Sequence, residues 1–477
     1  MRLLLADRFA PKSEKISPDQ LALFEAQNTE LPPEEPEEET VQITFERKRR
    51  GKRAKLDEEL QRQRIEYQLS EEECQCGCGG QLAKIDEVVS EQLELILARY
   101  IVLQHVQFKY ACKGCNEQIR LAPKAPQPIA KAIAAPGLLA HIATTKFVDG
   151  VPFARQEKQH ARHGVIIPRN TMARWVIQLA DLILPLMNLM EDIIRAGPFI
   201  QCDETPYQVL KESGRKPTAK SYFWVRRGGP GHQVVVIFTY DPSRSSAVAK
   251  ELFMDYTGYV QCDGYGGYHP LEAAGITLLG CMAHVRRKYC EALKALPNKD
   301  LAQKSLAAEA IRTIKKLYAV EKEGKDHTPE QRYELRQEKS VPLLTEFKAW
   351  LDEQILVVLP KSALGKAISY TLNQWPRLVR YCDDGCLHID NNADERAIRP
   401  LAISRKNFLF SDTPEGAHAN ARMFSLIETC KLHGHEPCAY LRHIFKELPK
   451  AETVEDYESL LPWNLDAESL KQSAKEF

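Results

Sequence analysis

Two short segments decide the expected fold: FIQCD at residues 199–203 and YVQCD at residues 259–263, which share the triplet Gln-Cys-Asp. Each is an apolar run of strand length that ends in an aspartate just before a turn, which predicts two β-strands. Alternation along a strand places the two cysteines in a buried layer and turns Asp203 and Asp263 to the other face. On neighbouring strands the two carboxylates would lie side by side, and their repulsion predicts a bound divalent cation.

The sequence around these segments alternates between strand and helix patterns. Three more strands are predicted at residues 221–225, 232–240 and 277–280, and two helices at residues 243–253 and 283–293. Residues 296–380 are rich in Ala, Leu, Lys and Glu and predict an all-helical insertion. The whole block therefore predicts an α/β fold, a mixed sheet with helices on its faces.

A third carboxylate is expected in the segment HIDNNADERAIRP at residues 388–400. If the chain is helical after Asn392, then Glu395, Ile398 and Arg399 lie along one side of the helix. Asp203, Asp263 and Glu395 would then form an oxygen-only site of the kind that suits Mg²⁺ or Mn²⁺. Because the chain contains 65 acidic residues, the pattern alone does not distinguish this trio from surface acids and helix caps.

Length and composition limit the class of protein. A chain of 477 residues predicts two to four domains. It contains no apolar run of 18 residues and no secretory signal, so it is expected to stay off the membrane, in the cytoplasm. There its 13 cysteines are expected to be metal ligands or core residues. The net charge of zero means that any nucleic-acid binding must come from local patches.

Residues 1–70 predict a disordered or partly helical arm, with an acidic run at residues 30–39 and a basic run at residues 47–55. The basic run is interpreted as a contact to DNA phosphates. Its candidate side chains are Arg47, Lys48, Arg49, Arg50, Lys52 and Arg53. The alternative is a solvated linker in which the two charge blocks pair with each other.

Residues 71–125 predict a zinc-binding module. The candidate ligands are Cys74, Cys76, Cys78, Cys112 and Cys115. Four thiolates from two such clusters form the closed tetrahedral site that structural zinc prefers, and the first cluster offers three thiols for two places. An iron–sulfur site and unliganded core cysteines are the alternatives.

Residues 126–196 predict a helical region that resembles a helix-turn-helix unit. A helix over residues 151–162 stops at Gly164, and a second helix opens at Arg169. Arg169 and Arg174 are the candidate DNA contacts, and an ordinary helical hairpin with Trp175 in its core is the alternative. Residues 413–477 predict a C-terminal helical segment.

The sequences of these motifs resemble those of a known family. Residues 199–210, 259–268 and 389–410 resemble three motif blocks of the insertion sequence 66 family of bacterial transposases. Residues 423–464 look like the C-terminal segment of that family, and the cysteine region is similar to its zinc module. The resemblance covers about residues 70 to 465 and implies a ribonuclease-H-like catalytic domain at residues 197–412. Its Asp-Asp-Glu triad would consist of Asp203, Asp263 and Glu395.

The resemblance also implies a chemistry: hydrolysis frees a 3′ hydroxyl at each transposon end, and that hydroxyl then attacks target DNA. Two Mg²⁺ or Mn²⁺ ions about 4 Å apart would serve both steps, with Asp203 as the expected bridge. Further candidate DNA contacts are Arg396, Arg399, Arg405, Lys406 and His284. His284 belongs to a Cys-x-x-His pair that resembles one found in several transposase groups, and a core cysteine with a hydrogen-bonded histidine is the alternative.

Expected partners are the transposon ends and target DNA, further copies of the chain assembled on DNA, and companion proteins of the same element. The expected location is therefore the nucleoid. Two other functions stay open: a DNA-binding relic without catalysis, and a metal-dependent structure-selective nuclease. The complete set of three carboxylates argues against the relic.

Overall fold

A five-stranded sheet lies at the centre of the computed structural model, which describes residues 100–111, 119–296 and 304–475. Contacts within the chain divide it into residues 1–95 and residues 96–477, and the described residues all belong to the second part. The described strands are β1 (Lys109–Ala111), β2 (Ile119–Leu121), β3 (Phe199–Gln208), β4 (Lys220–Gly228), β5 (Val235–Asp241), β6 (Tyr259–Gln261) and β7 (Thr277–Leu279).

Helices surround the sheet on the N-terminal side, between its strands and after it. The first are α1 (Pro136–Phe147), α2 (Phe153–Arg162), α3 (Arg169–Leu182), α4 (Leu184–Ala196), α5 (Ser246–Leu252) and α6 (Met282–Lys294). Next come α7 (Leu306–Glu323), α8 (Pro329–Leu335), a π-helical turn (Arg336–Ser340), α9 (Val341–Val357) and α10 (Ala363–Leu378). The last are α11 (Asn392–Phe408), α12 (Pro414–Leu432), α13 (Pro437–Glu447), α14 (Val454–Ser459) and α15 (Ala467–Lys475). Short 3₁₀ helices are Gly266–Ala274, Val379–Cys382, Leu448–Lys450 and Pro462–Asn464.

The sheet is mixed, as the sequence predicts. Its strand order is β5-β4-β3-β6-β7. The strands β3, β4 and β5 are antiparallel neighbours, whereas β3, β6 and β7 run parallel. Strands β1 and β2 pair antiparallel in a separate two-stranded sheet. The predicted helical insertion is also confirmed where the structure describes it, since α7 to α10 follow one another between β7 and α11.

Helix α12 covers the edge strand β5. The main-chain N–H groups of Val236 and Phe238 donate to the hydroxyl oxygens of Thr429 and Ser425, at 3.0 and 2.8 Å. Side-chain acceptors thus replace the missing strand partner, which protects an edge that could otherwise pair with another chain. This packing explains why an apolar strand such as VVIF at the start of β5 is buried throughout.

Two apolar clusters hold the described part of the chain together. One joins the sheet to α1, α3, α4, α12 and α13, and the other joins α6 to the helices of the insertion. Trp175 is 5% exposed in the first cluster, so this side chain of the predicted helix-turn-helix region belongs to the core. None of the described helices is long and apolar enough to cross a membrane.

Candidate active site

The first half of the candidate site is built on the adjacent parallel strands β3 and β6. Gln201 lies opposite Gln261 in their register, which brings the two Gln-Cys-Asp segments side by side as predicted. Cys202 and Cys262 are 0% and 2% exposed, so the predicted cysteine layer is confirmed. The echo in the sequence therefore marks two equivalent positions on neighbouring strands.

The prediction that each aspartate ends its strand is wrong for Asp203. Strand β3 continues to Gln208, because its antiparallel pairing with β4 extends to the pair Gln208–Lys220. Its parallel pairing with β6 ends at Gln261, and Asp263 follows two residues later. Asp203 therefore lies in mid-strand, at the level where β6 stops.

Gln201 and Gln261, the glutamines of the two Gln-Cys-Asp segments, hold the loop that precedes Glu395 in place. Gln201 Nε2 donates to Gln261 Oε1 and to the carbonyl oxygen of Asp390, both at 3.0 Å. Gln261 Nε2 donates to the carbonyl oxygens of Gly280 and His388, at 3.0 and 2.7 Å. Buried amides are used here to satisfy main-chain carbonyls that the sheet itself cannot reach.

Glu395 lies in the first turn of α11, which begins after Asn391, so the helix predicted to follow Asn392 is confirmed. Asn391 is fully buried, and its Nδ2 donates to the carbonyl oxygen of Cys202 at 3.1 Å. Its main-chain N–H donates to Cys281 Sγ at 3.2 Å. The start of α11 is thus tied both to β3 and to the N-terminus of α6.

The helical insertion also holds this loop. Tyr318 of α7 donates its hydroxyl proton to Asp390 Oδ2 at 2.6 Å. Arg336, which is 1% exposed, forms an ion pair with Glu321 at 2.6 Å. Its guanidinium also donates to three carbonyl oxygens of the segment just before Asp390, those of Tyr381, Asp384 and Leu387. The position of Glu395 therefore depends on side chains from the insertion.

The carboxylates of the site repel one another. Burial and then the neighbouring carboxylate of Glu204 raise the pKa of Asp203 to about 8, and the charges of Asp263 and Glu395 add to the effect. Asp394 is fully buried, and both of its carboxylate oxygens lack a hydrogen-bond partner among the described residues. Burial and the nearby Asp203 raise the pKa of Asp394 well above its ordinary value. Such a concentration of acidic oxygen atoms favours either protons or a cation.

Glu395 differs from the other two carboxylates because cationic side chains of α6 contact it. Arg287 Nη2 lies 3.3 and 3.2 Å from its two carboxylate oxygens. His284 Nε2 lies 3.6 Å from Oε1. Burial lowers the pKa of His284, so the imidazole contact becomes an ion pair only when the ring is protonated.

Asp263 is held by a network that the sequence did not reveal. Its Oδ1 accepts the main-chain N–H of Tyr265 at 2.8 Å, and its Oδ2 lies 3.9 Å from Arg244. Arg244 pairs with the buried Glu204, and its guanidinium stacks 3.8 Å from the centre of the Tyr265 ring. Tyr268 donates its hydroxyl proton to Glu204. This network fixes the turn that presents Asp263.

The chemistry of these donors fits a divalent cation. Hard cations such as Mg²⁺ take carboxylate oxygens, and such a cation would stabilise the charged form of Asp203 that burial and the neighbouring carboxylates disfavour. Within the described residues, no three His, Cys, Asp or Glu side chains lie close enough together, in their present rotamers, to hold one ion. Asp203, Asp263 and Glu395 are therefore neighbours whose side chains would have to converge.

The predicted DNA contacts lie in different surroundings. Arg169, Arg174 and Lys406 are exposed. Arg405 Nη1 donates to Thr205 Oγ1 at 2.8 Å and to the carbonyl oxygen of Pro206, so it anchors α11 to β3. Arg396 and Arg399 lie on the exposed side of α11, near the same end as Glu395. His284 lies in the carboxylate cluster itself, beside Glu395.

The cysteine and basic-arm predictions fall outside the described residues. This holds for Cys74, Cys76, Cys78, Cys112 and Cys115, and for Arg47, Lys48, Arg49, Arg50, Lys52 and Arg53.

Four site residues were missed: Glu204, Arg244, Arg287 and Asp394. Glu204 and Asp394 each adjoin a predicted carboxylate in the sequence, and this adjacency was the available signal. Arg287 lies three residues after His284, on the same side of a helix, which could have indicated a shared contact. Arg244 carries no comparable signal, because only folding brings its loop to Glu204.

Family models match nearly the whole chain. The model described as "Transposase IS66 family" matches residues 131–419, and the IS66 C-terminal element matches residues 425–463. The zinc-finger binding domain of transposase IS66 matches residues 71–116, which include all five predicted cysteine ligands. A model described as "Transposase C of IS166 homeodomain" matches residues 1–65.

Three proteins of Sinorhizobium fredii (strain NBRC 101917 / NGR234) are similar over most of their length. The uncharacterized protein y4jD is 31% identical, with 84% of this chain and 80% of y4jD aligned. The uncharacterized proteins y4qI and y4hP are 30% and 29% identical, with 86% and 82% of this chain and 77% and 73% of their own lengths aligned. Their names assign no activity, so the family models carry the functional information.

Proposed function

The chain belongs to the IS66 transposase family, and from this premise we propose that it cuts the ends of its insertion sequence and joins them to target DNA. The reaction is two-metal phosphoryl transfer in a ribonuclease-H-like core. The observation that carries the proposal is that the pairing of β3 with β6, and the bond from Asn391 at the start of α11 to Cys202, bring the segments of Asp203, Asp263 and Glu395 together, so that the last two charges contribute to the raised pKa of Asp203.

The sheet supports the proposed core. Three antiparallel strands followed by two parallel ones, in the order β5-β4-β3-β6-β7, are the arrangement expected of a ribonuclease-H-like domain. The three carboxylates then lie on the central strand β3, in the turn after its parallel neighbour β6, and on a helix that packs against β3 and β4, in line with what the family resemblance implies.

Each carboxylate has a proposed role. Asp203 would contact both ions, while Asp263 and Glu395 would each hold one. When bound, two such ions activate the attacking oxygen and stabilise the leaving oxygen of an in-line displacement. Asp203 is suited to the shared position because the charges of both Asp263 and Glu395 act on it and contribute to its raised pKa, after burial and Glu204.

We further propose that DNA is held by cationic side chains on several elements: the basic arm at residues 47–53, Arg169 and Arg174 on α3, and Arg396, Arg399, Arg405 and Lys406 on α11. The family zinc-finger match supports structural zinc in the N-terminal module, with ligands drawn from Cys74, Cys76, Cys78, Cys112 and Cys115. Assembly of several copies on DNA and a requirement for companion proteins belong to the same proposal.

The test is a cleavage and joining assay with the purified full chain, labelled DNA that carries the sequences flanking its gene, and Mg²⁺ or Mn²⁺. Asp203→Ala and Glu395→Ala should each lower both nicking and joining about a thousandfold or more, since several kcal/mol of transition-state stabilisation are lost. Asp352→Ala, on the exposed side of α9, is the matched control and should keep both activities.

Other outcomes of this assay would favour other functions. Nicking without joining, lost in both variants, would favour a structure-selective nuclease or a missing companion protein. DNA binding without cleavage in either metal, unchanged by the substitutions, would contradict the catalytic proposal and leave a DNA-binding relic.

A further inference from the structure

Arg287 lies in an unusual place for an exposed arginine, because it contacts a proposed metal ligand. Its guanidinium reaches both oxygens of Glu395 through Nη2 alone, and 44% of the Arg287 side chain is exposed to solvent. The Glu395 side chain is 22% exposed. The rest of the guanidinium fork is thus turned towards the surface above the carboxylate cluster.

This pairing competes with the metal chemistry proposed for the site. A carboxylate that accepts two contacts from a guanidinium presents the same oxygens that a divalent cation would need. A cation beside Glu395 would also repel the positive charge of Arg287. A cation bound to these oxygens of Glu395 would therefore weaken the contact with Arg287.

Once separated from Glu395, the guanidinium of Arg287 could bind a phosphate group of DNA. Arginine binds phosphate oxygens with its planar fork, and it remains charged at any physiological pH. Arg287 adjoins Glu395 and lies on α6, whose Lys288 side chain extends over the ring of Tyr370 at 6.0 Å. Tyr370 in turn packs against Gly264, the residue after Asp263. Two cationic side chains of α6 are therefore connected to the cluster, Arg287 directly to Glu395 and Lys288 through Tyr370 to the turn that bears Asp263.

We propose that Arg287 is a phosphate-binding residue of the catalytic site, held by Glu395 in the DNA-free protein and released to the DNA backbone when metal binds. This inference rests on the proposed function. It assigns Arg287 two successive partners, and it predicts that metal binding and phosphate binding at this site are coupled.

The first experiment measures Mn²⁺ binding to the full chain without DNA, by titration calorimetry. Arg287→Gln should bind Mn²⁺ about two- to fivefold more tightly than the wild type, which corresponds to losing a partly exposed ion pair as competitor. Lys294→Gln is the matched control, since it removes the same charge from the exposed last turn of the same helix, and it should leave the affinity unchanged. Arg287→Lys keeps the charge and should restore most of the competition. An unchanged or weaker affinity in Arg287→Gln would overturn the proposal.

The second experiment measures the salt dependence of binding to a fluorescent 40-base-pair duplex of arbitrary sequence. With Mn²⁺ present, Arg287→Gln should lower the slope of log affinity against log salt by about 0.9, the loss of one phosphate contact. Without Mn²⁺ the slopes of Arg287→Gln and the wild type should coincide, because Glu395 then holds the guanidinium. Equal slopes in the presence of Mn²⁺ would contradict a phosphate contact.

The variant Asp203→Ala distinguishes a failure of the proposed metal site from a failure of the role proposed for Arg287. If Asp203→Ala binds Mn²⁺ as well as the wild type does, the proposed metal site is wrong and the role of Arg287 falls with it. If Mn²⁺ binding requires Asp203 but Arg287→Gln changes neither affinity nor salt slope, only the role of Arg287 is wrong.

Discussion

The two halves of the candidate site are positioned by different kinds of interaction. Asp203 and the turn that bears Asp263 follow from the parallel register of β3 and β6, which main-chain hydrogen bonds determine. Glu395 follows from side chains, namely Gln201, Gln261 and Asn391, together with residues of the insertion. The sheet half is therefore built by main-chain pairing of strands, whereas the helix half is assembled by side-chain hydrogen bonds.

The halves also differ in electrostatics. Burial and the neighbouring carboxylates destabilise the charged form of Asp203, while Glu395 forms an ion pair with Arg287 of α6. The negative charge of Asp203 is therefore unfavourable in the folded protein, whereas that of Glu395 is balanced by Arg287. Substitutions in the two halves should therefore have different effects on stability, and the following predictions test this difference from the largest effect to the smallest.

Arg336→Met should have the largest effect, a loss of about 3–5 kcal/mol in the free energy of unfolding, because it leaves the partly buried Glu321 and three carbonyl oxygens without their partner. Urea denaturation followed by tryptophan fluorescence measures the loss. Lys348→Met removes an exposed pair within α9 and should cost at most about 0.5 kcal/mol. Similar midpoints for the two variants would show that the insertion does not hold the loop before α11.

Asp203→Asn should stabilise the metal-free protein at pH 8 by about 2–4 kcal/mol and leave it nearly unchanged at pH 4. The pKa of Asp203 is raised from its ordinary value of 3.8 to about 8 in the folded protein. Its contribution is therefore fully present below about pH 4 and is lost as the pH rises through 8, at up to about 1.4 kcal/mol per pH unit. Asparagine stays neutral and removes this loss.

Thermal melting in EDTA between pH 4 and pH 9 measures this effect. Glu395→Gln is the control from the other half of the site, and it should give no stabilisation, since it breaks the contact with Arg287. Parallel pH curves for the wild type and Asp203→Asn would contradict the difference in electrostatics.

Gln261→Leu should have the smallest effect, a loss of about 1–3 kcal/mol, because two buried carbonyl oxygens lose their donor. It should also impair cleavage, since the loop that leads to Glu395 loses an anchor. Gln208→Leu removes a hydrogen bond at the surface end of β3 and should cost less than about 0.5 kcal/mol. Full cleavage activity in Gln261→Leu would show that the remaining anchors suffice.

Much of the fold could be predicted from periodicity and turn residues. The five strands, the helical insertion and the helices at α12 and α13 were all anticipated from local pattern, since alternation and helical spacing are local properties. The end of β3 was not, because the strand continues only through its antiparallel partner β4. A strand end that depends on a distant partner strand cannot be predicted from the sequence of the strand itself.

The candidate site shows the same division. Local patterns and the family resemblance predicted Asp203, Asp263 and Glu395 as site residues, and the two Gln-Cys-Asp segments indicated the neighbouring strands β3 and β6. Only the tertiary structure decided that Arg244 meets Glu204, that Arg287 meets Glu395, and that two glutamines fasten the loop before α11. The physical reason is separation along the sequence. Strand alternation and helical spacing are properties of a few consecutive residues, whereas these contacts join segments far apart in the chain.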